Sequence, residues 1–145
     1  MKKTKVLFKM FYLYHKAAFD PIIELFENDL NYDVALSLTH EVERSFGFYD
    51  KDETNKYLKQ FEQEGHRVSD ENEHFDIVFA PDVVDEKKHE DALLCLVYHG
   101  ITFTKTVTYR KLKKHADHRY IIFAEGEQSK KSLIESGCLG NSELH

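Results

Sequence analysis

The sequence predicts an α/β fold, with one doubly wound sheet of about six parallel strands and helices on both faces. Short apolar runs alternate along the chain with segments of helical periodicity, which is the pattern of a parallel sheet covered on both sides. The chain has 145 residues, of which 41% are hydrophobic and 13% aromatic. This is enough to bury the core of a single domain, which we expect to span residues 1–145.

Six segments have the apolar or alternating composition of strands. They are residues 5–14, 33–39, 66–69, 75–80, 92–99 and 119–124. The segment 66–69 is the weakest of them, whereas 75–80 and 92–99 have the clearest pattern of buried strands. Because crossovers between parallel strands are right-handed, we expect the strand order 3-2-1-4-5-6, a Rossmann-like arrangement.

Four helices are predicted, three of them between these strands and one after the last strand. The first starts at Asp20, whose side chain can cap it, with Pro21 in its first turn. Its predicted apolar face consists of Ile22, Ile23, Leu25, Phe26 and Leu30. The other helices are predicted at residues 53–64, 110–116 and 128–136. Gly65 and Gly137 follow the second and the last helix and are suited to close them.

The charge balance and the cysteine content exclude several classes of partner. Twenty Lys and Arg residues face 26 Asp and Glu residues, which gives a net charge of −6. An acidic protein has no general attraction for nucleic acid, so we expect no nucleic-acid partner. Two distant cysteines, Cys95 and Cys138, predict neither a disulfide framework nor a zinc site, and we expect a cytoplasmic protein.

Motifs for cofactors and metals are missing from the sequence. Residues 11–21, which follow the first predicted strand, contain no glycine, so they form neither a GxGxxG loop nor a Walker loop. His115 and His118 have helical i, i+3 spacing, but no third ligand lies nearby in the sequence. We therefore expect no cofactor and no metal.

Ligands of a doubly wound sheet bind at the carboxyl ends of the strands, near the point where the strand order reverses. His99 follows the strand at 92–99 and precedes Gly100, a position suited to a general base. A hydrogen bond from His99 to a loop carbonyl is the alternative. His15 and Lys16 follow the first strand and can contribute to an anion site at a helix N-terminus, unless His15 is an exposed loop residue.

Residues 105–119 form a basic segment in this acidic chain. Its charged residues are Lys105, Arg110, Lys111, Lys113, Lys114 and Arg119, against the single acid Asp117. Such a segment can bind a phosphorylated acceptor or an anionic membrane surface, or it can be the solvated face of a helix. Residues 70–91 contain nine acids and two lysines, which predicts solvated loops.

The segment 97–101, with the sequence VYHGI, resembles the N-terminal domain of the CDP-glycerol glycerophosphotransferase family, as do Lys105 and residues 120–126. Members of this family are teichoic-acid-type polymerases and primases with the two-domain GT-B fold. The similarity extends weakly over nearly the whole chain. Ile101 and Thr102 stand where the family has Thr-Pro.

The resemblance implies that His99 is the catalytic base of an acceptor-side domain. The predicted substrate-binding residues are His15, Lys16, Gly100, Lys105 and Gly126. The resemblance also implies a CDP-glycerol-like donor, held mainly by a C-terminal domain that this chain lacks. It further implies a lipid-linked acceptor, and thus a peripheral location at the inner face of the cell membrane.

These inferences predict the N-terminal half of a GT-B transferase. It would move glycerol phosphate or a sugar from a CDP- or UDP-activated donor to a hydroxyl acceptor in the synthesis of a surface polymer. Two alternatives stay open: a nucleotide-sugar 2-epimerase or ordinary glycosyltransferase domain, and a non-catalytic module that binds a phosphorylated ligand. We expect the isolated chain to be inactive, because such chemistry needs a closed cleft between two domains.

Overall fold

The computed structural model describes residues 1–38, 51–84, 87–98 and 106–145. Six strands and four helices lie within these ranges. The strands are Thr4–Met10 (β1), Tyr32–Leu38 (β2), Ile77–Ala80 (β3), Leu93–Val97 (β4), Tyr120–Phe123 (β5) and Glu143–Leu144 (β6). The helices are His15–Glu27 (α1), Lys51–Gln63 (α2), Thr106–Lys114 (α3) and Glu127–Ser136 (α4).

The strand order is β2-β1-β3-β4-β5-β6, and the pairs β1/β2, β4/β5 and β5/β6 are parallel. The chain steps from β1 to β2 in one direction and then from β3 to β6 in the opposite direction, which defines a doubly wound α/β sheet. The predicted Rossmann-like fold is therefore confirmed. The predicted strand at 66–69 is reduced to a single residue, Val68, which forms a parallel bridge with Leu36. The short edge strand β6 was not among the predicted strands.

The chain divides into two compact units, Met1–Val78 and Phe79–His145. In the first unit, five consecutive residues of β1, residues 6–10, are buried, so both faces of this strand are covered. On one face, the ring of Phe8 packs edge-to-face against Phe19 and Phe26 of α1, at centroid distances of 5.6 and 6.1 Å. Lys9 projects from the opposite face, because side chains alternate along a strand.

The first helix starts earlier than the sequence predicts. Strand β1 ends at Met10, a turn follows, and α1 begins at His15, so Pro21 lies inside the helix and Asp20 is not its N-cap. The aromatic residues of the turn have the composition of a strand, which explains the error. Two residues of the predicted apolar face, Leu25 and Leu30, are 71% and 83% exposed.

The second unit has its core between β4, β5 and the helices that follow them. Leu96 of β4, Leu112 of α3 and Leu133 of α4 are fully or almost fully buried. Helix α4 ends at Gly137, whose φ of 65° lies in the left-handed region that favours glycine. This closure is the one that the sequence predicts.

Candidate functional site

Three predicted site residues, His99, Gly100 and Lys105, lie outside the described residues. The strand before them, β4, ends at Val97, and Tyr98 continues it with a backbone N–H that donates to the carbonyl of Phe123 over 3.1 Å. The hydroxyl of Tyr98 is buried, and it has no hydrogen-bond partner among the residues that the structure describes. Burial, together with the nearby carboxylate of Asp82, raises the pKa of Tyr98 well above its usual value.

The carboxylate of Asp82 is fixed at the carboxyl end of β3. Its Oδ1 atom accepts the N–H of Val83 over 2.8 Å, and its Oδ2 atom lies 2.8 Å from Nζ of Lys111. Asp82 and Tyr98 thus lie at the carboxyl ends of two successive strands, β3 and β4, where a doubly wound sheet binds its ligands. Lys111 is one of the predicted basic residues, and this ion pair compensates its charge within the unit.

His15 is a buried residue, 3% exposed, and the interpretation as an exposed loop histidine is wrong. Its Nδ1 atom accepts two backbone hydrogen bonds, from the N–H groups of Phe11 and Tyr12, each over 3.1 Å. Because Nδ1 accepts both bonds, it carries no proton in this arrangement. His15 therefore fixes the turn between β1 and α1, and its Nδ1 atom does not donate to a ligand.

The ammonium group of Lys16 forms ion pairs with two carboxylates of its own unit. Its Nζ atom lies 2.9 Å from Asp20 and 3.4 Å from Glu64, and it stands 5.6 Å from the ring centre of Phe61. The first two amides of α1, those of His15 and Lys16, donate to carbonyl groups of the turn. Neither feature supports the predicted anion site, and the substrate-binding roles of His15 and Lys16 stay predictions.

A buried polar cluster lies on the face of β1 and β2 opposite the side that packs on α1. Lys9 is 1% and Glu71 5% exposed, and Nζ of Lys9 lies 3.2 Å from Oε2 of Glu71. The hydroxyl of Ser37, the register partner of Lys9, donates to Oε1 of Glu71 over 2.6 Å. Glu71 has a φ of 68°, which is strained for a residue other than glycine. We call these three residues the Lys9 cluster.

A second group of ion pairs lies beside the Lys9 cluster and is only partly buried. Glu73 lies 2.8 Å from Lys5 and 2.6 Å from Arg67, whose Nε atom lies 3.0 Å from Asp33. Hydrogen bonds from Lys5 and Arg67 lower the pKa of Glu73 to about 2.

Glu71 and Glu73 belong to the segment for which the sequence predicts solvated loops. That prediction is wrong for Glu71, which is buried, whereas Glu73 is partly exposed and forms ion pairs. The two carboxylates form ion pairs with Lys5 and Lys9 of β1 and with Arg67. The available sequence signal was Lys9, a charge in the middle of an apolar strand, because a lysine in such a position needs an acidic partner.

The basic residues of α3 lie on its exposed side, while Leu112 anchors the helix from the other. Lys111 pairs with Asp82, and Arg119 beyond the helix lies 2.7 Å from Glu143. Among the basic residues of α3, Arg110, Lys113 and Lys114 are exposed and form no ion pair with any residue that the structure describes. We call these three residues the α3 patch.

Gly126 directly precedes α4 in an extended backbone conformation, with φ of 166°. A Cβ atom built there would meet nothing within 4 Å, so the surrounding structure does not require a glycine. Its predicted substrate-binding role therefore rests on the resemblance. The neighbouring Glu125 accepts a hydrogen bond of 2.6 Å from the hydroxyl of Ser129.

Neither a metal site nor a membrane-spanning helix is found in the part of the chain that the structure describes. No group of three or more potential ligands there could hold a metal ion, and the rings of His115 and His118 are 5.8 Å apart. None of the helices in the described ranges is both long and apolar enough to cross a bilayer.

Comparisons with known proteins leave the family of the chain open. No protein family model, curated protein or solved structure matches it.

Proposed function

We propose that this chain is the acceptor-side half of a GT-B-type transferase, which moves glycerol phosphate or a sugar from a CDP- or UDP-activated donor to a hydroxyl acceptor. The observation that carries the proposal is the reversal of strand order between β1 and β3. In such sheets the reversal marks the ligand-binding edge, which is the carboxyl edge. The strand β4 ends at Val97, two residues before the His-Gly pair of the resembling segment.

The role proposed for His99 is that of the general base. For a CDP-glycerol donor, the imidazole takes the proton from the acceptor hydroxyl, and the hydroxyl oxygen forms a bond to the phosphorus that bears glycerol. The bond from that phosphorus to the bridging oxygen breaks, and CMP leaves with the electron pair. Positioned proton transfer of this kind contributes about 10² to 10⁴-fold to a rate.

The α3 patch supports the proposed contact with a lipid-linked acceptor at a membrane. Its three exposed cations have no ion pair in the described residues, so they are available for headgroup phosphates. Each lysine or arginine near an anionic bilayer contributes roughly 1 kcal/mol.

The same patch also favours the second candidate, a non-catalytic module that binds a phosphorylated ligand. Under that alternative, the chain binds a soluble phosphate ester unaided and releases no nucleotide from any donor. Calorimetry with a sugar phosphate and the chain alone measures such binding.

Nucleotide release tests the transferase proposal. The chain, expressed together with any sequence that follows His145 in its gene, is incubated separately with CDP-glycerol and with UDP-sugars in the presence of a hydroxyl acceptor. We expect release of CMP from CDP-glycerol or of UDP from one UDP-sugar. Release of UDP without an acceptor, with epimerisation of the sugar, would favour a 2-epimerase, and no release from any donor would contradict the proposal.

A further inference from the structure

The turn between β1 and α1 carries a stacked pair of tyrosine rings at the surface. The ring centroids of Tyr12 and Tyr14 are 5.2 Å apart, and their planes differ by 17°. Tyr14 is 59% exposed, and Leu13 between them is 37% exposed. Contiguous exposed apolar side chains on a turn are a common property of binding surfaces.

The buried side chain of His15 and backbone hydrogen bonds hold the tyrosine pair in place. The buried ring of His15 packs against Tyr14 at a centroid distance of 4.5 Å, and its Nδ1 atom accepts the N–H groups of Phe11 and Tyr12. The amides of His15 and Lys16 return hydrogen bonds to the carbonyls of Tyr12 and Leu13. A ligand that stacks on this turn would therefore lose little free energy in ordering it.

The position of the turn also indicates a ligand site. It directly follows the carboxyl end of β1, and the strand order reverses beside β1. Ligands of doubly wound sheets bind outside these strand ends. An exposed aromatic pair at the opposite end of the strand would carry no such implication.

The charges around the pair favour an uncharged ligand. The ammonium of Lys16 is already compensated by Asp20 and Glu64, and the first amides of α1 are used within the turn. The unit Met1–Val78 as a whole has ten Lys and Arg against sixteen Asp and Glu. A ligand with a phosphate group would meet net repulsion here, whereas a neutral ring would not.

We propose that Tyr12 and Tyr14 form a binding site for a neutral sugar ring. The axial C–H groups of a pyranose form a flat apolar surface with small positive partial charges, which complements the negative face of an aromatic ring. Phenol hydroxyls in general both donate and accept hydrogen bonds, as the hydroxyl groups of a sugar do. This site uses neither His99 nor a nucleotide donor, so it stands apart from the proposed transfer reaction.

Saturation-transfer NMR on the complete chain tests this site with two neutral probes, cellobiose and chitobiose, and one anionic aromatic probe, CMP. We expect saturation to pass from tyrosine ring protons to the C–H groups of at least one disaccharide. Removing the ring in Tyr14→Ala should weaken that binding by at least about threefold, whereas Tyr14→Phe retains the ring and should stay within about twofold. Tyr57→Ala is the matched control, because Tyr57 is a partly exposed tyrosine on α2 and should leave sugar binding unchanged.

Three results would overturn the proposal. They are no transfer to either disaccharide, equal losses in Tyr14→Ala and Tyr57→Ala, and tighter binding of CMP than of both sugars at the same tyrosines. If Tyr14→Ala fails to fold, intermolecular NMR contacts between sugar protons and tyrosine ring protons, measured on the wild-type chain, still show whether the sugar binds at these tyrosines. Since the assay contains no donor, its outcome is independent of nucleotide release.

Discussion

The two units of the chain use their cations in different ways. The unit Met1–Val78 has ten Lys and Arg against sixteen Asp and Glu, whereas Phe79–His145 has ten of each, so the net charge of −6 belongs to the first unit. In the first unit, Lys9 is buried with Glu71, and Lys5 pairs with Glu73. In the second unit, the α3 patch remains exposed.

The difference shows that charge in the sequence does not by itself indicate where a protein binds charged ligands. The lysines of β1 hold a segment of their own unit against the sheet. The cations of the α3 patch contribute little to stability where they lie, because exposed charges are screened by water. Substitutions should therefore separate the two groups, with large effects on folding in the first unit and effects on binding alone in the second.

The largest expected effect on stability is that of Lys9→Met. The substitution leaves the buried carboxylate of Glu71 without its ammonium partner, and we expect a loss of about 3 to 5 kcal/mol in the free energy of unfolding. Lys5→Met is the matched control, because Lys5 pairs with a carboxylate but is 37% exposed in its side chain. Its expected loss is about 1 kcal/mol or less. Similar losses for both variants in urea unfolding would show that burial does not distinguish the two ion pairs.

A smaller effect is expected from acid, through Glu73. The pKa of this carboxyl is lowered from 4.5 to about 2 by Lys5 and Arg67. A lowered pKa means that the ionised form stabilises the folded chain above the ordinary pKa, and that this contribution disappears as the pH falls from about 4.5 towards 2.

Comparison with Glu73→Gln isolates this contribution. At pH 6 we expect the variant to be less stable by about 1 kcal/mol, a value reduced by the partial exposure of the ion pair. Between pH 4.5 and 2.5 the difference should shrink, because the Glu73 carboxyl of the unfolded chain takes up a proton in this range while that of the folded chain stays ionised. A stability difference that stays constant over this range would contradict the lowered pKa.

The smallest effect on stability is expected from the double variant Lys113→Glu and Lys114→Glu. Both side chains are exposed, so the free energy of unfolding should change by no more than about 0.5 kcal/mol. Binding to vesicles that contain phosphatidylglycerol should nevertheless be lost, while the wild type should bind them in a salt-dependent way. Equal binding of both proteins, or wild-type binding to pure phosphatidylcholine vesicles, would remove the membrane role of the α3 patch.

Local patterns in the sequence were sufficient to predict most of the fold. Strand β4 is apolar throughout because both of its faces are covered, and α4 ends at a glycine because the closing residue has a left-handed backbone. The turn between β1 and α1 misled the prediction, since Phe11, Tyr12 and Tyr14 have the composition of a strand.

The Lys9 cluster could not be predicted from local patterns. Glu71 lies 62 positions from Lys9 in the sequence, and its strained backbone and burial depend on how the segment crosses β1 and β2. The hydrogen bonds of His15 could not be predicted either, because its partners are backbone N–H groups, which every residue type except proline provides. The helical pattern correctly predicted that Lys111 and the α3 patch lie on a helix. The ion pair between Lys111 and Asp82 could not be predicted, because the two residues are far apart in the sequence.

The most direct test of the proposed function compares His99→Ala with His118→Ala in the chain that carries any sequence following His145 in its gene. His118 is a partly exposed histidine of the same unit, so it controls for the loss of an imidazole. With the accepted donor, we predict that His99→Ala lowers the rate of nucleotide release by about 10² to 10⁴-fold and that His118→Ala leaves the rate within about twofold of wild type. A His99→Ala protein that releases nucleotide at the wild-type rate would contradict the assignment of His99 as the base.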